Sequence, residues 1–168
     1  MKLLQVPYIP QINANACGAA VLEMVYKYYG LDNITQQELM DEYQELEPHG
    51  SGNFRLTTDN LVLDARKRGF ESEWSRADLE SLDEVTALLN FLIDNKAPLI
   101  VCQKFTEALP LIGHFRIVVG IDNKTIYLHD PSSEIGGANL TWSVDKFLSF
   151  WQPTGANVTG GVFVIINR

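Results

Sequence analysis

Apolar positions recur with helical spacing through the first part of the chain and with strand-like runs through the last part. Over residues 16–29, Val21, Met24, Val25 and Tyr28 mark one face and Leu22, Tyr26 and Tyr29 a second. Only Glu23 and Lys27 are charged there, four apart on one strip. The pattern therefore predicts a helix apolar nearly all round, running through the middle of the fold and ended by Gly30. A second helix is expected at the capping box Thr35-x-x-Glu38, and a third over residues 58–68 with Gly69 after it. A fourth follows another such box, Ser81-x-x-Glu84, and ends before Pro98.

Beyond Pro98 the period changes. Residues 99–105, 114–121, 126–129 and 162–167 are short β-branched and aromatic runs bounded by Gly, Pro or Asn, which predicts an antiparallel sheet. A helix over residues 144–151, capped by Ser143, interrupts them. Helices first and strands later give an α+β chain: a helical lobe of about residues 1–97 packed on a sheet lobe of about residues 98–168. With 168 residues this is one domain.

Composition narrows the function classes. A chain with 46% hydrophobic and 20% charged residues is globular, which excludes disorder, collagen and coiled coil. Thirteen Lys and Arg against 21 Asp and Glu leave a net charge of −8, which argues against a nucleic-acid partner. The longest aliphatic run, residues 162–166, is far too short for a membrane span, and the first residues meet Gln5 and Pro7 before an export signal could form. A cytoplasmic protein is expected if Met1 is native, and the sequons at Asn33, Asn123, Asn139 and Asn157 then carry no weight. Two cysteines without metal-site spacing predict neither a disulfide framework nor zinc, and no cofactor or metal is expected. The glycine-containing loop 48–53, with His49, lacks the features of a phosphate cradle and is expected as a surface loop.

Any cysteine chemistry is then that of a single thiol. Cys17 stands at the first turn of the apolar helix with Asn15 as its expected cap. A helix N-terminus offers unpaired N–H groups and partial positive charge, which favour a thiolate. The helix alone leaves two readings open, a reactive thiol and a buried small hydrophobe. Cys102, inside an apolar strand, reads as core. Gln11 lies six residues before Cys17 on a segment that Pro7 and Pro10 keep extended, where its amide could serve as an oxyanion donor. His114 opens one strand and Asp130 closes the returning one, so both fall at the same end of a hairpin. A carboxylate there could orient the imidazole toward the thiol. His129 competes for the base role, but its position beside Asp130 turns it to the other face.

The order Gln11, Cys17, His114, Asp130 comes with a Cys-Gly-Ala helix start and a His-Phe-x-x-Val-Val strand, and the hairpin ends in Asp130-Pro131. In these features the chain resembles the papain-like cysteine peptidases, and more closely their bacteriocin-leader-processing branch, the double-glycine peptidases. The matching segments are residues 6–30 and 113–131. The resemblance implies a papain-like two-lobe fold and a peptide or protein substrate. It also implies Cys17 as nucleophile, His114 as base and then acid, Asp130 as orienter and Gln11 as oxyanion donor. The branch often has an acidic residue just before its cysteine, where this chain has Ala16. No transporter follows residue 168, so a stand-alone domain is expected. The residues leave open acyl transfer to an amine or deamidation on the same triad, and a noncatalytic peptide-binding module.

Overall fold

The apolar stretch runs through the interior as expected: α1 (Cys17–Tyr28) has every residue from Cys17 to Tyr26 buried, including Glu23, whose charge is met by Lys27 at 2.9 Å. The computed structural model describes residues 2–44, 54–76, 82–110, 112–151 and 161–168. The glycine loop 48–53 with His49, the Ser81 cap and Asn157 lie outside the described residues. After α1 come α2 (Gln36–Gln44), opened by the Thr35/Glu38 box, and α3 (Thr58–Lys67), capped reciprocally by Thr57 and Asn60. Gly30 and Gly69 follow α1 and α3 in the left-handed conformation that glycine adopts without steric cost.

The remaining elements are β1 (Lys2–Leu3), β2 (Glu71–Arg76), α4 (Leu82–Asp94), β3 (Leu99–Lys104), β4 (Gly113–Asp122), β5 (Thr125–Asp130), β6 (Gly137–Ser143), α5 (Val144–Trp151) and β7 (Val162–Asn167). Among the described residues, seven strands form one antiparallel sheet in the order β2-β7-β3-β4-β5-β6, with β1 pairing on β4. Ser143 caps α5 by accepting from the Lys146 N–H at 3.1 Å, as the sequence predicts. The fold is thus a helical set and an antiparallel sheet packed together, with β1 and β2 added to the sheet from the first half of the chain.

Strand alternation divides the apolar residues between two cores. Ile100, Phe115, Ile117, Val162, Val164 and Ile166 face α1, α2 and α3. Leu99, Val101, Val118, Phe163 and Ile165 face α4 and α5 on the opposite side. Between Val118 and Gly120 a bulge adds a residue to β4, so that Val119 follows Ile117 into the first core but Ile121 falls in the second. Gly120 sits where β1 crosses closest: a Cβ there would come within 2.6 Å of the Lys2 carbonyl oxygen.

Candidate active site

Three elements converge at one end of the sheet. Helix α1 begins at Cys17, strand β4 starts at Gly113, and strand β5 finishes at Asp130. The register pairs Ile117 with His129, so one step further sets Arg116 across from Asp130, with His114 two residues earlier on the same face. His114 Nε2 lies 2.7 Å from Asp130 Oδ1, and both side chains are buried. The imidazole and the Phe115 N–H are also the polar groups that favour a charged sulfur on Cys17. Since Nε2 is taken by the carboxylate, Nδ1 is the ring atom left for the thiol.

Burial alone would push the Cys17 thiol up. The hydrogen bond and charge of His114, the Phe115 N–H and the positive charge of Arg55 outweigh it, and the thiol is held below its ordinary value. Burial likewise pulls His114 down, yet the hydrogen bonds to Asp130 and Cys17 leave it raised. Asp130 is lowered against its own burial by His114 and Arg116. The set favours a thiolate–imidazolium pair backed by an ionised carboxylate.

The cap of α1 differs from the expectation. Asn15 does not cap the helix; Ala16 occupies that position and no side-chain cap bond is made. Asn13 Oδ1 instead accepts the Asn15 N–H at 2.9 Å, and Asn15 Oδ1 accepts from Arg55 Nε at 3.1 Å. A turn at Asn13 has consumed the local bonding that a cap would use. The first-turn N–H groups therefore remain available beside the sulfur.

Gln11 lines the same cleft as His114, a space of about 360 Å³ also bordered by Asn13, Arg55, Phe105 and Ser132. Its amide donates to the Asn13 carbonyl at 2.8 Å, which fixes which end is nitrogen and leaves the second N–H uncommitted. Its backbone N–H bonds the Pro131 carbonyl at 2.9 Å, tying the segment to the residue after Asp130. Buried Gln36 holds the other side. It donates to the Pro10 carbonyl at 2.9 Å, accepts from the Ile12 N–H at 2.9 Å, and gives its own N–H to Glu23 at 2.8 Å.

The rival histidine is fully used. His129 Nε2 donates to the Val6 carbonyl at 2.9 Å while Nδ1 accepts from Asn139 at 3.1 Å, and burial lowers its pKa. Cys102 is buried in the first core. Sequence reasoning missed Gln36 and Arg116. For Arg116 a signal existed, since a charged residue two positions from His114 in an otherwise apolar central strand must find a buried partner. Gln36 gave none, because it reads as an ordinary first-turn helix residue. Among the described residues no group of three or more His, Cys, Asp or Glu could hold a metal, and no helix is long and apolar enough to cross a membrane.

The sequence profile of the Peptidase C39 like family matches residues 3–158. The peptidase domain of Streptococcus ComA, a bi-functional ABC transporter of a quorum-sensing pathway, is 26% identical, with 98% of this chain and 99% of that one aligned at a TM-score of 0.70. A double-glycine-motif protease from an AMS/PCAT transporter, crystallised with the leader peptide, aligns over 99% of this chain and 94% of its own at 22% identity and a TM-score of 0.66. A C39-like peptidase from Bacillus anthracis shares the fold at 16% identity and a TM-score of 0.69, covering 100% of this chain and 98% of that one. No curated protein sequence matches significantly. A profile match over nearly the whole length, on the fold of a 26% identical peptidase domain, makes this chain a cysteine peptidase of the Peptidase C39 like family.

Proposed function

We propose that Cys17 is the nucleophile that cleaves peptide amide bonds, with His114 as general base and then acid, Asp130 as orienter and Gln11 as oxyanion donor. The observation that carries this reading is the buried His114–Asp130 pair at 2.7 Å, set where its imidazole favours the thiolate of Cys17 at the start of α1. His114 takes the thiol proton, and the thiolate attacks the substrate carbonyl. The oxyanion is met by the Cys17 N–H and the free amide hydrogen of Gln11. His114 then gives its proton to the leaving amine, and water hydrolyses the thioester. Asp130 stays ionised throughout and stabilises the imidazolium.

The relative solved with a leader peptide supports a peptide as substrate, and the cleft between the Gln11 segment and Phe105 is the space open to it beside His114. The joined side chains weigh against a purely noncatalytic module. Incubating the protein with a mixed peptide digest and reading the products by mass spectrometry tests the proposal. Cys17→Ala is expected to abolish new termini, and Gln11→Ala to slow them roughly 100- to 1,000-fold. Undiminished cleavage by Cys17→Ala refutes the nucleophile. Adding a primary amine separates hydrolysis from transfer, since a mass increment of the amine would appear only in the latter.

A further inference from the structure

A guanidinium on a central strand is costly to bury unless its donors are met. Arg116, 1% exposed, has every branch engaged. Nε donates to Asp130 Oδ2 at 2.7 Å, one terminal nitrogen to the Lys104 carbonyl at 2.9 Å, and the other to the Phe105 carbonyl at 2.7 Å. The rings of Trp142 and Phe150 lie over it at 5.0 and 5.6 Å, packing it from β6 and α5. The two oxygens of Asp130 are divided: Oδ2 goes to Arg116, while Oδ1 takes His114 and the Ser132 N–H. Phe105, whose carbonyl Arg116 holds, borders the cleft and stands edge-on to the His114 ring at 4.9 Å. One guanidinium thus joins the carboxylate behind the imidazole to the backbone of the cleft wall beside it.

We propose that Arg116 is a positioning residue of the reaction. By gripping Oδ2 it fixes the carboxylate plane so that Oδ1 meets His114, and by pinning the carbonyls of Lys104 and Phe105 it keeps the cleft wall against the same ring. The inference rests on the roles proposed above for Cys17, His114 and Asp130. Planar, forked geometry is what this task needs; a lysine keeps the charge but cannot span three acceptors.

Charge and geometry act on His114 in opposite directions. The charged groups around it are Cys17 from α1, Asp130 from β5 and Arg116 from its own strand, with Arg55 acting on Cys17. Deleting a neighbouring positive charge would by itself stabilise the imidazolium and move its loss to higher pH. Releasing the carboxylate from its correct plane would weaken the imidazolium and move that loss to lower pH.

The rate of Cys17 alkylation by iodoacetamide, followed by mass spectrometry across pH, reads this directly and needs no substrate. The full chain is compared with Asp130→Asn, Arg116→Lys, Arg116→Met and the Asp130→Asn/Arg116→Met double variant. The alkaline limb of this profile is the change in rate where the imidazolium beside the thiolate loses its proton, and Asp130→Asn is expected to move it to lower pH. Both Arg116 variants should move it the same way and slow the neutral-pH reaction roughly 3- to 30-fold. In the double variant Arg116→Met should add less than about twofold, because its effect passes through Asp130. An alkaline limb that stays put or rises in the Arg116 variants, while Asp130→Asn lowers it, overturns the positioning role alone. A limb unmoved by Asp130→Asn refutes the underlying assignment of Asp130. Arg116→Lys decides the matter if Arg116→Met does not unfold cooperatively, and failure of both to fold counts against a role separable from stability.

Discussion

Burial disfavours the charged form of a thiol and of an imidazole alike, yet Cys17 is held below its ordinary value by His114, and His114 above its own by Asp130 first and Cys17 second. The two titrate as a pair, so activity should follow a bell in pH. Its acid limb marks formation of the thiolate–imidazolium pair and its alkaline limb the loss of the pair's remaining proton. Cys17 should accordingly react with iodoacetamide well below pH 8.5, the ordinary thiol range, and equal labelling of Cys102 across that range would contradict the ion pair. Asp130 adds a stability term whose sign follows from its lowered pKa. The unfolded carboxyl binds its proton first on acidification, so the contribution is complete above about pH 4 and drains away as pH falls through the folded value. The urea midpoint of Asp130→Asn should therefore lie below that of the wild type at neutral pH, and the gap should close in acid. A gap that widens in acid would contradict an ionised Asp130. His114 contributes oppositely: its stabilisation is full below about pH 6.5 and is lost as pH rises through its raised folded value.

At the scale of elements, the sheet shows which strands a hydrophobic pattern can reveal. β3, β4, β5 and β7 lie inside the sheet order, and all four were expected from their β-branched runs. The strands the pattern did not foresee are β2 and β6 at the two edges and the two-residue β1. An edge strand shields less apolar surface, and β2 reads Glu-Ser-Glu-Trp-Ser-Arg with Ser72 as its buried residue. β6 contains Gly137 and Asn139, both at positive φ, which erases any alternation. The site follows the same rule. The placement of Cys17, His114 and Asp130 was legible because each lies at or beside the end of an element, whereas the Asn15 cap failed because its Oδ1 is taken by Arg55 and Ala16 occupies the cap position. Gly120 offers a test of the β1 contact. A side chain at 120 would strike the Lys2 carbonyl, so Gly120→Val should release β1, read as lost exchange protection of the Leu4 N–H that now bonds Val119 at 2.7 Å. Retained protection would mean that the bulge yields instead.

At the scale of the whole molecule, the sheet separates two cores, and the site sits where their shared strands end against the start of α1. The opposite end of α1 is held by different chemistry. Tyr26 and Tyr43 both donate to the buried carboxylate of Asp64, Arg68 adds a contact at 2.7 Å from α3, and the arginine lies over the Tyr26 ring. This cluster ties α1, α2 and α3 together, and Tyr26 stands nine residues from Cys17, about 13 Å along the helix. Stability and chemistry should consequently be separable. Asp64→Ala leaves two tyrosine hydroxyls without their acceptor and a partly exposed arginine with only its longer contact to Glu42 at 3.9 Å, a loss of roughly 2–4 kcal/mol. Folded molecules of that variant should still show the wild-type pH profile of Cys17 alkylation, since none of the groups touching the sulfur has changed. Urea unfolding measures the first effect and alkylation below the transition the second. A displaced alkylation profile at full folding would show that α1 transmits strain from one end to the other, and the sulfur's ionisation would then depend on the three-helix cluster as well as on His114.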